Sequence, residues 1–124
     1  MQLLVVADDP VDAARVRAAL PGEAGLDDAR VLVVTPARND SRLAFWMSDS
    51  DEAIAEARET QEQSVSALQA EGVRAAGEVG ESEPMLALHD ALATFPADLV
   101  LLLTGDDELE RQARDALDVR VVRG

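Results

Sequence analysis

Five short apolar runs punctuate the chain, at Leu3 to Ala7, Val31 to Thr35, Val73 to Val79, Leu99 to Thr104 and Val119 to Val122. They are rich in valine and leucine and of strand rather than helix length. Between each pair the apolar positions recur at helical spacing. Asp9-Pro10-Val11-Asp12 opens the first helix, with Asp9 as cap, Pro10 in the first turn and Asp12 set against the helix dipole, and the helix stops near Leu20, before Pro21-Gly22. Ser48 with Asp51 forms the acidic variant of a capping box. The second and longest helix follows, carrying Ile54, Ala57, Val65 and Leu68 inward up to Gly72. The third opens at Ser82-Glu83-Pro84, lines Met85, Leu88, Leu92 and Phe95 on one stripe and ends at Pro96. The fourth runs from Asp106 to about Leu117, with Leu109, Ala113 and Ala116 inward.

Strict alternation of strand and helix predicts a parallel sheet with helices on both faces, because each crossover must return the chain to the same end of the sheet. The continuously apolar runs Leu3-Leu4-Val5-Val6 and Leu99-Val100-Leu101-Leu102-Leu103 read as central strands. The runs beginning at Val73 and Val119 carry charges and read as edges. No repeat or linker divides the chain, so residues 1–124 form one α/β domain, with a long loop from Pro36 to Met47.

Composition removes many chemistries. All 11 basic residues are arginine, there is no lysine, cysteine or tyrosine, and His89 is the single histidine. A Schiff base, a phosphate-loop lysine, a thiol nucleophile, a disulfide and a multi-histidine zinc site are all excluded. The 25 acidic residues give a net charge of −14, which repels nucleic acid and anionic membranes. No apolar run approaches the roughly 20 residues of a membrane span. Met1-Gln2-Leu3-Leu4 lacks the basic region of a secretory signal, so a cytoplasmic protein is expected. The acid excess reads first as surface solvation.

The first strand LLVVADD ending in aspartate, the second strand VLVVTPA, the helix EARETQEQSVSALQAEGV, the segment GEVGESEPMLALHDAL and the run FPADLVLLLTG together resemble the universal stress protein family. The resemblance spans essentially the whole chain and rests most on Gly77-Glu78-Val79-Gly80 and Ala97-Asp98-Leu99-Val100. It implies a three-layer Rossmann-like sandwich with strand order 3-2-1-4-5. It also implies a ligand crevice at the carboxyl ends of strands one and four, where the order reverses. Nucleotide-binding members hold ATP through an aspartate after strand one, backbone near the end of strand two, and a loop G-x2-G-x9-G-[S/T] after strand four. Asp8, Val34 and Gly105 stand at those places.

That loop is incomplete in this sequence. After Gly105 the chain reads DDELERQARDAL, without the later glycines or the final Ser or Thr. Asp106, Asp107 and Glu108 occupy the first helical turn, where free amides and the dipole would otherwise attract phosphate. Even at an effective dielectric near 20, a like-charge pair about 4 Å apart costs on the order of 4 kcal/mol. A degenerate nucleotide site in a dimeric, non-catalytic binding or regulatory module is therefore expected, with no cofactor. The alternative is an ATP site bridged by Mg²⁺, for which Asp8 and Asp9, converging with Asp106 and Asp107, are the candidate ligands. Arg38 and Arg42 are the arginines placed to meet any anion at the crevice.

A response-regulator receiver domain is the third reading. It draws on the paired acids after strand one and Thr104 after strand four, but offers Glu78 for the phosphoacceptor and lacks the required lysine. His89 beside Asp90 is expected at a partly buried boundary rather than in catalysis, since adjacent helical residues point about 100° apart. Phe45-Trp46-Met47 reads as a hydrophobic plug before the second helix or as a partner anchor. Val119, Val121 and Val122 form an apolar edge expected to pair with a second copy, as the resemblance also implies.

Overall fold

The computed structural model describes residues 1–20, 26, 28–37 and 50–124. Five strands, β1 (Gln2–Ala7), β2 (Arg30–Pro36), β3 (Arg74–Gly80), β4 (Leu99–Leu103) and β5 (Arg120–Arg123), form one sheet of order β3-β2-β1-β4-β5, and every neighbouring pair is parallel. The helices of the described residues are α1 (Ala13–Ala19), α2 (Ser50–Ala70), α3 (Pro84–Thr94) and α4 (Asp107–Ala116). The protein is thus a Rossmann-like α/β sandwich, as the alternating pattern and the resemblance both imply. No helix among the described residues is long and apolar enough to cross a membrane.

The two-residue period of the strands builds two cores. Leu3, Val5, Val31, Val33, Leu99 and Leu101 pack with Val16 of α1 and Leu68 of α2 on one face. Leu4, Val6, Leu32, Val34, Val100 and Leu102 pack with Leu88 of α3 and Leu109 of α4 on the other. Strands β1 and β4 are apolar throughout because they lie between two helical layers. The chain enters β4 under a clamp. Asp98 donates its amide to the Gln2 carbonyl at 2.8 Å and accepts the Gln2 amide on its carboxylate at 2.8 Å, which fixes the register of β1 against β4.

Several boundaries depart from the sequence expectation. Helix α1 is capped by Asp12, whose carboxylate accepts from the Arg15 amide at 2.8 Å, and not by Asp9. Residues 10 and 11 stay outside the helix because the Val11 amide is committed to the buried Ser64 hydroxyl of α2 at 3.0 Å. That hydroxyl in turn donates to the Thr60 carbonyl. Ile54 and Ala116, expected inward, are exposed; α2 turns Ala53, Ala57, Ser64 and Leu68 to the sheet, and α4 turns Leu109 and Ala113. The third and fifth strands each begin one residue later than expected. At the end of α2, Gly72 takes φ +82° and completes a Schellman turn, with the Val73 amide on the Leu68 carbonyl. The proposed capping serine, Ser48, lies outside the described residues.

Candidate functional site

The sheet order places the topological switch between β1 and β4, and Ala7 pairs with Leu103 there. Asp8 and Asp9 leave one side of the switch, and Thr104, Gly105 and Asp106 leave the other. In this fold the amino ends of the crossover helices face the same end of the sheet, so their free amides are the natural anion donors.

Some of those donors are already committed to the chain's own carboxylates. The Asp106 carboxylate accepts from the Leu109 amide at 3.0 Å, and its own amide donates to the Thr104 hydroxyl at 3.2 Å. Glu83 caps α3 through both carboxylate oxygens, at 3.1 Å to the Met85 amide and 2.8 Å to the Leu86 amide, with Pro84 at the first helical position. Asp12 caps α1 through one oxygen on the Arg15 amide. Three helices thus carry one of the chain's own carboxylates where an exogenous phosphate would otherwise bind. At α4 the amide committed in this way is that of Leu109.

The electrostatics of α4 differ from the sequence reading. Asp107 pairs with Arg123 of β5, Glu108 with Arg111, and Glu110 with Arg114 at 3.6 Å. Arg123 also lies 3.8 Å from Glu110. Its hydrogen bond to Asp107, and then the charge of that carboxylate, hold the Arg123 pKa above the ordinary arginine value. Three carboxylates therefore face three guanidiniums, and simple repulsion at this turn is weaker than the acidic run alone suggests. The Asp106 carboxylate, seated on the Leu109 amide, is the stronger obstacle to an anion.

Beside the switch, a cleft of about 460 Å³ opens between the ends of β1 and β2 and helix α2. Among the described residues, Asp8, Asp9, Glu56 and Glu59 line it together with Thr60 and Pro36, and no basic residue does. Sequence reasoning placed Asp8 and Asp9 here but missed Glu56 and Glu59, which come from the exposed side of a helix distant in sequence. The expected convergence of Asp8, Asp9, Asp106 and Asp107 on a cation is not found. Among the described residues no group of three or more acidic or histidine side chains is arranged to hold a metal ion.

The remaining candidates distribute as follows. Val34 is fully buried in β2, two residues before its end, with its side chain in the α3/α4 core. Gly105 is exposed, and a Cβ built there meets nothing within 4 Å among the described residues, so none of them requires a glycine. His89 is exposed on α3, not at a partly buried boundary. Arg38, Arg42 and Phe45-Trp46-Met47 lie outside the described residues. Val121 and Val122 of β5 turn to opposite cores, and Val119 precedes the strand and packs on the α3/α4 side. Glu78 sits within β3, which β2 separates from β1. A receiver domain has strand order 2-1-3-4-5, with its third strand beside the first, so the receiver reading fails on topology.

Comparison of the sequence with family models and with curated proteins finds no match.

Proposed function

We propose that this chain is a universal stress protein-like domain that acts as a dimeric, non-catalytic binding or regulatory module of the stress response, with a nucleotide crevice that it closes with its own carboxylates. The observation that carries this reading is the Asp106 cap, since it consumes a donor at the one helix terminus through which the resembled family holds phosphate. The four-carboxylate cleft beside it adds a field of the wrong sign for ATP.

The dimer is supported by the hydrogen-bonding pattern of β5. Gly124 donates its amide to the Leu102 carbonyl of β4 at 3.0 Å. In a parallel ladder alternate residues turn to alternate sides, so the backbone of Val121 and Arg123 points to the open edge. Such a row of donors and acceptors pairs readily with a second copy about a two-fold axis.

Isothermal titration of nucleotide-stripped protein with ATP, with and without Mg²⁺, tests the closed crevice. The reading expects no binding tighter than about 100 μM, or −5.5 kcal/mol. Tighter, Mg²⁺-dependent binding weakened by Asp8→Ala would replace it with the cation-bridged ATP site.

A further inference from the structure

A second groove lies at the opposite end of the sheet, where β2 and β3 begin. It measures about 320 Å³, and its lining is largely apolar. Strand periodicity puts Leu32 and Ala76 on the α3 side of the sheet, and Phe95, at the end of α3, closes that side. Arg30 and Arg74 flank the same groove. They are direct register partners on adjacent parallel strands, so their side chains leave the same face one strand spacing apart.

Their register sets two positive charges side by side on adjacent strands. Acidic residues outnumber basic ones by more than two to one, and Arg111, Arg114 and Arg123 are held in ion pairs. Arg30 and Arg74 are exposed and make no ion pair or side-chain hydrogen bond among the described residues. The acids nearest in sequence, Asp28 and Glu71, do not reach them. Like charges directly opposite each other across two strands are unfavourable, and among the described residues no carboxylate relieves them. An anion placed between two guanidiniums would, and it would gain charge-assisted hydrogen bonds from both.

We propose that this groove binds a small amphiphilic carboxylate, an organic acid with a compact aromatic or branched apolar body. The carboxylate lies between Arg30 and Arg74, and the body rests on Ala76 and Leu32 against Phe95. The volume is at the lower end for ligand pockets, which selects a small acid over a nucleotide. Among the described residues the groove has no acidic lining residue, in contrast to the cleft at the other end of the sheet. The site does not depend on the reading of the nucleotide crevice, and the two stand or fall separately.

Naphthoate is a suitable probe, with naphthalenemethanol as its uncharged counterpart, each titrated against the full chain while backbone amide chemical shifts are followed. Naphthoate is expected to move the amides of Arg30 to Leu32, Arg74 to Ala76 and Phe95, and the alcohol to bind at least about tenfold more weakly. Arg30→Gln with Arg74→Gln should reduce naphthoate affinity by a similar factor while leaving the alcohol unchanged. Ala76→Trp, at an exposed position that needs no core rearrangement, should block both by filling the groove. Shifts absent at millimolar naphthoate, shifts located elsewhere, or equal binding of acid and alcohol would overturn the proposal. So would undiminished naphthoate binding in either variant.

Discussion

Asp106 can be divided by substitution into its two roles, hydrogen-bond acceptor and charge. Asp106→Ala removes the carboxylate that accepts from the Leu109 amide at 3.0 Å. Loss of such a cap costs about 1 kcal/mol. Asp106→Ser keeps an acceptor within reach of the same amide but discards the charge. Two consequences of that loss oppose each other: the favourable interaction with the helix dipole disappears, at roughly 0.3–1 kcal/mol, and repulsion from Asp107, Glu108 and Glu110 is relieved. Serine should therefore lie within a few tenths of a kcal/mol of the parent. Urea unfolding followed by circular dichroism measures both values, provided the slope with denaturant is unchanged. The alanine variant should also melt roughly 3–5 °C lower, on the scaling for a chain of this size. Equal stability of the alanine variant and the parent would show that the carboxylate does not hold the helix terminus. A serine variant as unstable as alanine would show that charge, not the hydrogen bond, is the stabilising element.

Three further outcomes are expected. Gly80→Ala should destabilise by about 1–3 kcal/mol in the same urea assay, because the added Cβ meets the Ala87 Cβ at 2.6 Å and Val34 Cγ1 at 3.1 Å between β3 and α3. Gly105→Ala should change stability by less than about 0.5 kcal/mol, since nothing lies within 4 Å of the new methyl and the residue is exposed. Val121→Pro should convert a sedimenting dimer to monomer at micromolar concentration while leaving the monomer's circular dichroism intact, because the lost amide points to the open edge and not to β4. A parent chain that sediments only as monomer, or a proline variant that still dimerises, would count against pairing through β5.

The architecture was legible in the sequence because its signal is repeated. Five apolar runs alternating with four helical patterns admit few arrangements once crossovers must be right-handed and sheet faces covered. The order 3-2-1-4-5 required the additional resemblance, since alternation alone also permits the receiver order. Cap positions were harder, because any of several acids near a helix start can serve. The choice of Asp12 over Asp9 depends on Ser64, more than fifty residues away, which holds the Val11 amide. The inward assignment of Ile54 failed for a related reason. A long helix crossing a sheet buries only the stripe its angle allows, and here small residues, Ala53 and Ala57, make the close approach while Ile54 lines an open cavity.

The candidate site was legible in composition but not in arrangement. The acidic first turn of α4 marks the departure from a phosphate site, yet the sequence does not reveal that Arg123, from the last strand, returns to pair with Asp107 and Glu110. Repulsion inferred from the run DDELE therefore overstates the local field, whereas the cap by Asp106 states the obstacle in terms of a specific donor. The cleft acids Glu56 and Glu59 and the Arg30–Arg74 register pair share one property. Each is created by tertiary apposition of residues that look like ordinary surface positions when read singly.

Native mass spectrometry of the protein purified without nucleotide stripping tests the central claim most directly, because one spectrum reports both the number of copies and any retained small molecule. The account expects twice the chain mass with no added nucleotide or divalent ion. A species carrying ATP or ADP would contradict the closed crevice, and a spectrum containing only the single-chain mass would contradict the dimeric module.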